Sequence, residues 1–211
     1  MTGIIHFETF LIAGILLNLT PGNDTIFILT KSIAQGKKAG ILSVLGIATG
    51  SLIHTTLAAL GLSIIIAKSV LAFTIVKYAG AAYLLYIGLK MFIDRSKFDT
   101  PIPTSAKKIN ALKIYRDAVL TNVLNPKVAM FFIAFLPQFI NPDFQSSFIP
   151  FMLLGITFTI TGTIWCLILA NFSSFLFSKL RNNPKFSTWL NRVCGVVLIG
   201  LGIKIALTSR K

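Results

Sequence analysis

Long apolar stretches separated by short basic gaps recur along the whole of this chain of 211 residues. A helix needs about 20 mostly apolar residues to cross a lipid bilayer. Only 12% of the residues are charged, whereas about 25% are charged in an ordinary soluble domain. The pattern therefore predicts an all-α integral membrane protein with six transmembrane helices, at roughly 5–30, 40–66, 70–92, 115–136, 147–177 and 188–207.

The basic residues indicate how these helices would be oriented. Lys and Arg number 20 against six acids, which gives a net charge of +14. A basic chain can bind nucleic acid when its charges form one face, but here they lie in the gaps between apolar runs, so we expect no nucleic-acid partner. Cytoplasmic loops of membrane proteins are enriched in Lys and Arg, and 14 of the 20 lie near 31–38, 90–116 and 179–192. With those loops inside, both termini are predicted to be extracytoplasmic.

The two halves of the chain resemble each other. Pro21 and Pro126 both lie early in the first span of their half, and Gly50 and Gly155 follow them at the same separation. Because each half has an odd number of spans, the second copy would be inverted relative to the first. The predicted organisation is a first three-helix transmembrane repeat, a cytoplasmic linker and a second three-helix transmembrane repeat, at 1–93, 94–114 and 115–211.

Polar and helix-breaking residues interrupt the first and fourth predicted spans. Proline removes a backbone hydrogen bond from a helix, and glycine adds backbone freedom. Paired broken helices in two inverted halves point to a transporter site near the middle of the membrane. A simple proline kink is the alternative, but a kink would not need the polar groups found beside both prolines. The predicted substrate-binding residues are Pro21, Gly22, Asn23, Asp24, Asn122, Asn125, Pro126 and Lys127.

Asp24 and Lys127 place one charge at membrane depth in each break. A carboxylate there costs about 2.5–3.5 kcal/mol to insert, and it normally faces a cavity and has a partner. Asp24 could hold the ammonium group of an amino acid or carry a coupling proton, while Lys127 and the amides of a half-helix N-terminus could hold the carboxylate. Alternatively, the two side chains pair with each other structurally, or each lies near a membrane interface.

Weaker candidates lie in the second and fifth spans. Small residues usually mark close helix packing in membranes. Packing is therefore the favoured interpretation for the small residues of these two spans. It is also favoured for a lone histidine in an apolar helix. The second-tier candidates for the cavity are Gly50, Ser51, His54, Thr157 and Thr161.

Four stretches, spread over both halves, have the order and spacing of a known family. They are LTPGNDT at 19–25 with the glycine-bounded loop at 35–40, the stretch at 45–50, the stretch at 77–88, and TNVLNPK at 121–127 with 131–139. In these the chain resembles the LysE/RhtB family of amino-acid exporters. The resemblance implies export of amino acids or their derivatives across the bacterial inner membrane, driven by the proton gradient.

The chain departs from that family inside the first break. The family's proline-glycine-proline-asparagine motif maps onto Pro21, Gly22, Asn23 and Asp24, so Asn23 replaces the second proline and Asp24 the asparagine. Ser51 stands where many relatives carry an acid. The resemblance therefore implies that an acid has moved from the second span to the first, with Asp24 as the candidate for proton coupling.

Three other functions fit the residues less well. A thiol redox protein would need paired cysteines, but Cys166 and Cys194 form no CxxC motif and lie at neither break. A cation or metal transporter would need several intramembrane carboxylates or soft ligands, and Asp24 alone qualifies. A passive scaffold would leave two charged breaks as an unexplained cost. The expected partners are an amino-acid substrate, protons and the lipid bilayer, with no metal and no cofactor.

Overall fold

The computed structural model describes residues 3–62, 70–93, 110–144, 147–173 and 184–207. The regular elements in these ranges are helical, and the described residues form no strand beyond one isolated bridge. In chain order the helices are α1 (Phe7–Leu19), α2 (Asn23–Gln35), α3 (Lys37–Leu57), α4 (Val70–Ile93), α5 (Ala111–Val123), α6 (Pro126–Met130), α7 (Phe148–Asn171) and α8 (Pro184–Leu207).

Short helical turns extend two of these helices. A π-helical turn at Ala58–Leu62 continues α3, and another at Phe131–Phe135 continues α6. Two 3-10 turns follow, at Leu136–Phe139 and Pro142–Phe144. Several basic residues of the orientation argument lie outside the described residues, namely those at 94–109, Lys179 and Arg181.

Helices long and apolar enough to cross a membrane occur at four of the six predicted positions when each bent pair is counted as one span. α3 with its π turn (Lys37–Gly61) and α7 are each long and apolar enough to cross a membrane. α1 with α2, and α5 with Pro126–Phe139, qualify as pairs that are each bent by 47° at a short break. The described residues thus contain two candidate spans, or four when each bent pair is one span. Both predicted breaks are present in the structure.

The boundary between the first two predicted spans differs from the expectation. We expected one span to end near residue 30 and the next to begin near 40, but α2 continues to Gln35 and α3 begins at Lys37. Gly36 alone separates the two helices, with a φ of 83°. Glycine reaches this angle readily because it has no Cβ. The predicted basic loop is therefore built from two helix ends.

α3 lies against α5 and runs in the same direction. Gly46 packs on Ala118 and Gly50 packs on Asn122, so the contacts advance together along both helices. A Cβ atom at Gly50 would lie 2.7 Å from the side chain of Asn122. Glycine at such positions lets two helix backbones approach closely.

α7 lies against α3 and runs in the opposite direction. The Ser51 hydroxyl forms a hydrogen bond with that of Thr159, and four residues later Thr55 packs on Gly155. The contacts therefore advance along one helix as they retreat along the other.

α1 runs parallel to α7, and α4 runs antiparallel to α8. The contacts that fix these last two directions are Gly14 with Phe158, Asn18 with Gly162, Gly88 with Ile199, and Gly202 with Leu85.

Two clusters of buried apolar side chains hold the bundle together. The larger is rich in phenylalanine, and its rings of Phe131 and Phe158 stack with centroids 4.2 Å apart. The smaller cluster gathers aliphatic residues of α2, α3 and α7, such as Ile28, Val44 and Leu169. Members of both clusters, among them Phe158 and Cys166, line one cavity together with polar residues of the two breaks.

Candidate functional site

The break between α1 and α2 follows from Pro21. In a continuous helix the carbonyl of Leu17 would accept a hydrogen bond from the N–H of residue 21, but proline has none. The Nζ atom of Lys127 donates to this carbonyl at 3.1 Å and to the carbonyl of Thr20 at 2.9 Å. A side chain from the other half of the protein thus satisfies the carbonyl end of α1.

The break between α5 and α6 follows from Pro126 in the same way. Here the carbonyl that loses its usual helical partner belongs to Asn122. It accepts a hydrogen bond of 3.0 Å from the backbone N–H of Asn125, and the Nε2 atom of His54 lies 3.3 Å from it. A carbonyl only accepts, so Nε2 must carry the hydrogen. His54 also stacks on Phe132, with ring centroids 5.6 Å apart. His54 thus packs on Phe132 and contacts the Asn122 carbonyl through one ring nitrogen.

Asp24 lies in the first turn of α2, where the partial positive charge of a helix N-terminus favours a carboxylate. Its Oδ2 atom accepts a hydrogen bond of 2.8 Å from Nδ2 of Asn122, which is buried at 2% exposure. Each break therefore contributes one residue to a contact that joins α2 to α5. The pair links the two halves of the chain directly.

Asn125 prepares the start of α6. Its Oδ1 atom accepts a 3.1 Å hydrogen bond from the backbone N–H of Lys127, and it caps the helix. Pro126 then occupies the first helical position, where its missing N–H costs nothing. The sequence Asn-Pro-Lys thus ends one half-helix and begins the next while aiming the lysine side chain at α1.

A narrow cavity lies between the two breaks. Its volume is about 40 Å³, which is room for a few water molecules and not for an amino acid. Asp24 and Lys127 face it with opposite charges, and Phe158 belongs to the larger apolar cluster. The lining residues are Asn18, Asp24, Thr25, Ile47, Ala48, Ser51, Asn122, Lys127, Val128, Phe158, Thr159, Gly162, Thr163, Trp165 and Cys166.

Three buried polar atoms of this lining have no hydrogen-bond partner within the described part of the chain. They are Oδ1 of Asp24, Oδ1 of Asn122 and Nε1 of Trp165. A buried polar atom without a partner costs about 1–3 kcal/mol. Two acceptors and one donor are therefore available to a polar molecule in the cavity.

The predicted site residues fall into two groups. Asp24, Asn122, Lys127 and Ser51 line the cavity. The others are not part of its lining. Pro21, Gly22, Asn125 and Pro126 shape the breaks, Asn23 is exposed in the first turn of α2, and Gly50 lies beneath Asn122.

The two predicted threonines of α7 are not part of the cavity lining. The hydroxyl of Thr157 donates to the carbonyl of Leu153 in its own helix, and Thr161 accepts a 3.3 Å hydrogen bond from Asn18. Thr159 lines the cavity instead, and so do Gly162 and Cys166. These three residues recur at helical spacing, so their common face could have been recognised in the sequence.

The substitution Thr159→Val is expected to destabilise the bundle. The Thr159 hydroxyl donates to the carbonyl of Gly155 and therefore accepts the 2.8 Å hydrogen bond from Ser51. Valine keeps the shape but leaves the buried Ser51 hydroxyl unpaired, which should lower the free energy of unfolding by about 1–3 kcal/mol. Chemical denaturation of the purified protein in detergent measures this. Thr157→Val is the matched control, and equal stability of both variants would contradict the expectation.

Comparison with known proteins identifies the family. A family profile described as LysE type translocator matches residues 15–209. An uncharacterized membrane protein of Bacillus subtilis, YrhP, is 36% identical over 90% of this chain and 93% of its own length. The leucine efflux protein of Salmonella typhimurium is 28% identical over 97% of this chain and 96% of its own length. No solved structure shows a significant match. The chain is a membrane protein that belongs to the LysE type translocator family.

Proposed function

We propose that this protein exports amino acids across the bacterial inner membrane in exchange for protons. Family membership and the relatives named leucine efflux proteins support export of an amino acid. The observation that carries the proposal is the cavity between the two breaks, which a carboxylate and an ammonium group both face. A zwitterionic substrate presents the complementary pair of charges.

The proposed architecture is six spans in two inverted halves, at 1–93 and 115–211, joined by a cytoplasmic linker at 94–114. The helix directions support it, because six consecutive crossings would make α3 parallel to α5 and antiparallel to α7, and α4 antiparallel to α8. Lys37 is the first residue of α3 and Lys113 lies in the first turn of α5, at ends that this arrangement puts on one side. With that side cytoplasmic, both termini are extracytoplasmic.

The substrate's ammonium group would bind the two acceptors that lack partners, Oδ1 of Asp24 and Oδ1 of Asn122. Its carboxylate would accept from Nε1 of Trp165, which lines the same cavity. The cavity must widen to admit an amino acid, since its volume is about 40 Å³. Rocking of one half against the other would supply this space and open the site to each side in turn.

Proton exchange follows if Asp24 binds either the substrate or a proton. Facing the cytoplasm, the deprotonated carboxylate takes up the ammonium group. Facing outside, a proton neutralises the carboxylate, and the substrate leaves. The proton then returns inward with the empty site, so one amino acid moves out for each proton that moves in.

Leucine uptake into everted membrane vesicles tests this function. Their lumen corresponds to the cell exterior, so an acid lumen should drive radiolabelled leucine inward when the protein is present. A protonophore should abolish the accumulation. Vesicles without the protein are the control, and a panel of the other amino acids extends the substrate range. Lack of gradient-driven uptake for every amino acid would refute the proposal.

The remaining alternatives are less favoured. The Cys194 side chain lies outside the described residues, while Cys166 is buried and lines the cavity. A translocator family favours transport over thiol redox chemistry or a scaffold role. A cation as the cargo is less favoured because the sequence places one acid at a break, Asp24, beside a lysine.

A further inference from the structure

The carbonyl end of α1 has the form of a cation site. Where a membrane helix is broken, its unwound carbonyls and the negative end of its dipole attract a cation, as in transporters that bind Na⁺ there. In this protein Pro21 frees the carbonyl of Leu17, and the turn at Thr20, with a ψ of 118°, ends the helix. Both carbonyl oxygens accept from the Nζ atom of Lys127.

We propose that the ammonium group of Lys127 is the resident cation of this site and takes the place of an inorganic ion. Two backbone carbonyls accept from it at 2.9 and 3.1 Å, which are ordinary hydrogen-bond distances. Lys127 is thus a positioning residue that holds the two broken spans together. The inference about binding stands by itself, whereas its consequence for transport rests on the proposed function.

The local sequence supports this placement of Lys127. The residue lies in the first turn of α6, where the helix dipole disfavours a positive charge. Other contacts must therefore stabilise the charged ammonium group. Gly22 leaves the space for it, because a Cβ atom there would lie 3.2 Å from Nζ. The lysine stem spans from α6 to α1 and tethers the charge at the break. Its position is therefore set by both broken spans.

A tethered ammonium has a consequence for coupling. An inorganic cation can leave on each transport cycle and carry its gradient, whereas a lysine cannot leave. Transport by this protein should therefore not require Na⁺. Asp24 remains as the group that exchanges its partner during the cycle.

Thermal unfolding of the purified protein in detergent, without substrate, tests the resident cation. The salts are sodium chloride, methylammonium chloride and choline chloride at equal ionic strength. The wild-type midpoint should be the same in all three. Lys127→Ala should unfold at least about 3 °C lower in choline, and methylammonium or Na⁺, which are small enough for the vacated position, should restore part of the loss. Lys113→Ala, an exposed lysine on α5, is the control and should show no such salt preference.

Three results would overturn the inference. One is a wild-type midpoint raised specifically by Na⁺, since the site would then bind an inorganic ion in addition. Another is a Lys127→Ala midpoint equal to that of the wild type. The third is a lowered midpoint that neither small cation restores, because a merely structural lysine would behave in that way.

A second measurement applies if Lys127→Ala does not fold. Lys127→Arg keeps the charge and several donors, so its midpoint should be independent of the cation, and a Na⁺-dependent midpoint would contradict the inference. Wild-type leucine uptake into everted vesicles should also be unchanged when choline replaces Na⁺. Uptake that requires Na⁺ would overturn the resident cation while supporting export. Absence of any uptake would refute the proposed function and leave the substrate-free result to decide the cation question.

Discussion

The substitution Asp24→Asn is expected to abolish proton-driven leucine uptake into everted vesicles. An amide has nearly the shape of the carboxylate and can still accept from Asn122, so the fold should persist. It cannot bind a proton in exchange for substrate, and it attracts an ammonium group weakly. Loss of one partner of a buried charged pair costs about 2–5 kcal/mol, which corresponds to a decrease of about 30-fold or more.

The matched control for this substitution is Asp143→Asn. Asp143 is exposed in a 3-10 turn and is not part of the cavity lining, so its neutralisation should leave uptake unchanged. The two variants change net charge equally, which removes any general electrostatic effect on the vesicles. Equal uptake by Asp24→Asn and wild type, with normal folding, would contradict the assigned role of Asp24.

An acid at Ser51 should restore part of the lost activity. Ser51 lines the same cavity as Asp24, so Ser51→Asp places a carboxylate near the original one. The double variant Asp24→Asn with Ser51→Asp should show more gradient-driven uptake than Asp24→Asn alone. No recovery in a folded double variant would mean that the position of the acid, and not its presence in the cavity, decides coupling.

The second large effect is expected for Gly50→Ala. Alanine usually stabilises a helix relative to glycine by about 1 kcal/mol. Here its Cβ atom would lie 2.7 Å from both Cβ and Oδ1 of Asn122. The contact must move Asn122 away from Asp24 or push α3 from α5, and such overpacking costs about 1–3 kcal/mol. The free energy of unfolding and leucine uptake should both decrease.

Gly200→Ala is the matched control for Gly50→Ala. Gly200 lies in α8, and nothing lies within 4 Å of a Cβ built there. This variant should be neutral or slightly stabilised, because the helix-propensity gain meets no clash. Opposite signs in the unfolding free energies of the two variants are the expected result. A stabilised Gly50→Ala with full uptake would show that α3 and α5 separate easily.

Local signals made much of the fold and of the breaks predictable. Apolar length predicted membrane helices, and Pro21 and Pro126 marked the places where hydrogen bonding within a helix must fail. The helix ends were less predictable. Gly36 turns the chain in a single residue, and no propensity rule required a turn that short.

The partners at the breaks could not be predicted from local signals. Lys127 donates to a carbonyl 110 residues away, and Asp24 and Asn122 are 98 residues apart. The cavity lining includes Thr159 and not Thr157, and local signals do not distinguish the two for a related reason. Periodicity shows which residues share a face of a helix, but not which neighbouring helix that face meets.

The sequence by itself determined that this chain enters a membrane and that two of its helices break there. It did so because apolar length and the missing N–H of proline act within a few residues. Only the tertiary structure decided that Lys127 satisfies the carbonyls of α1 and that Asp24 bonds to Asn122 beside a narrow cavity. Those contacts depend on how distant helices pack, and close packing is fixed by many side chains at once.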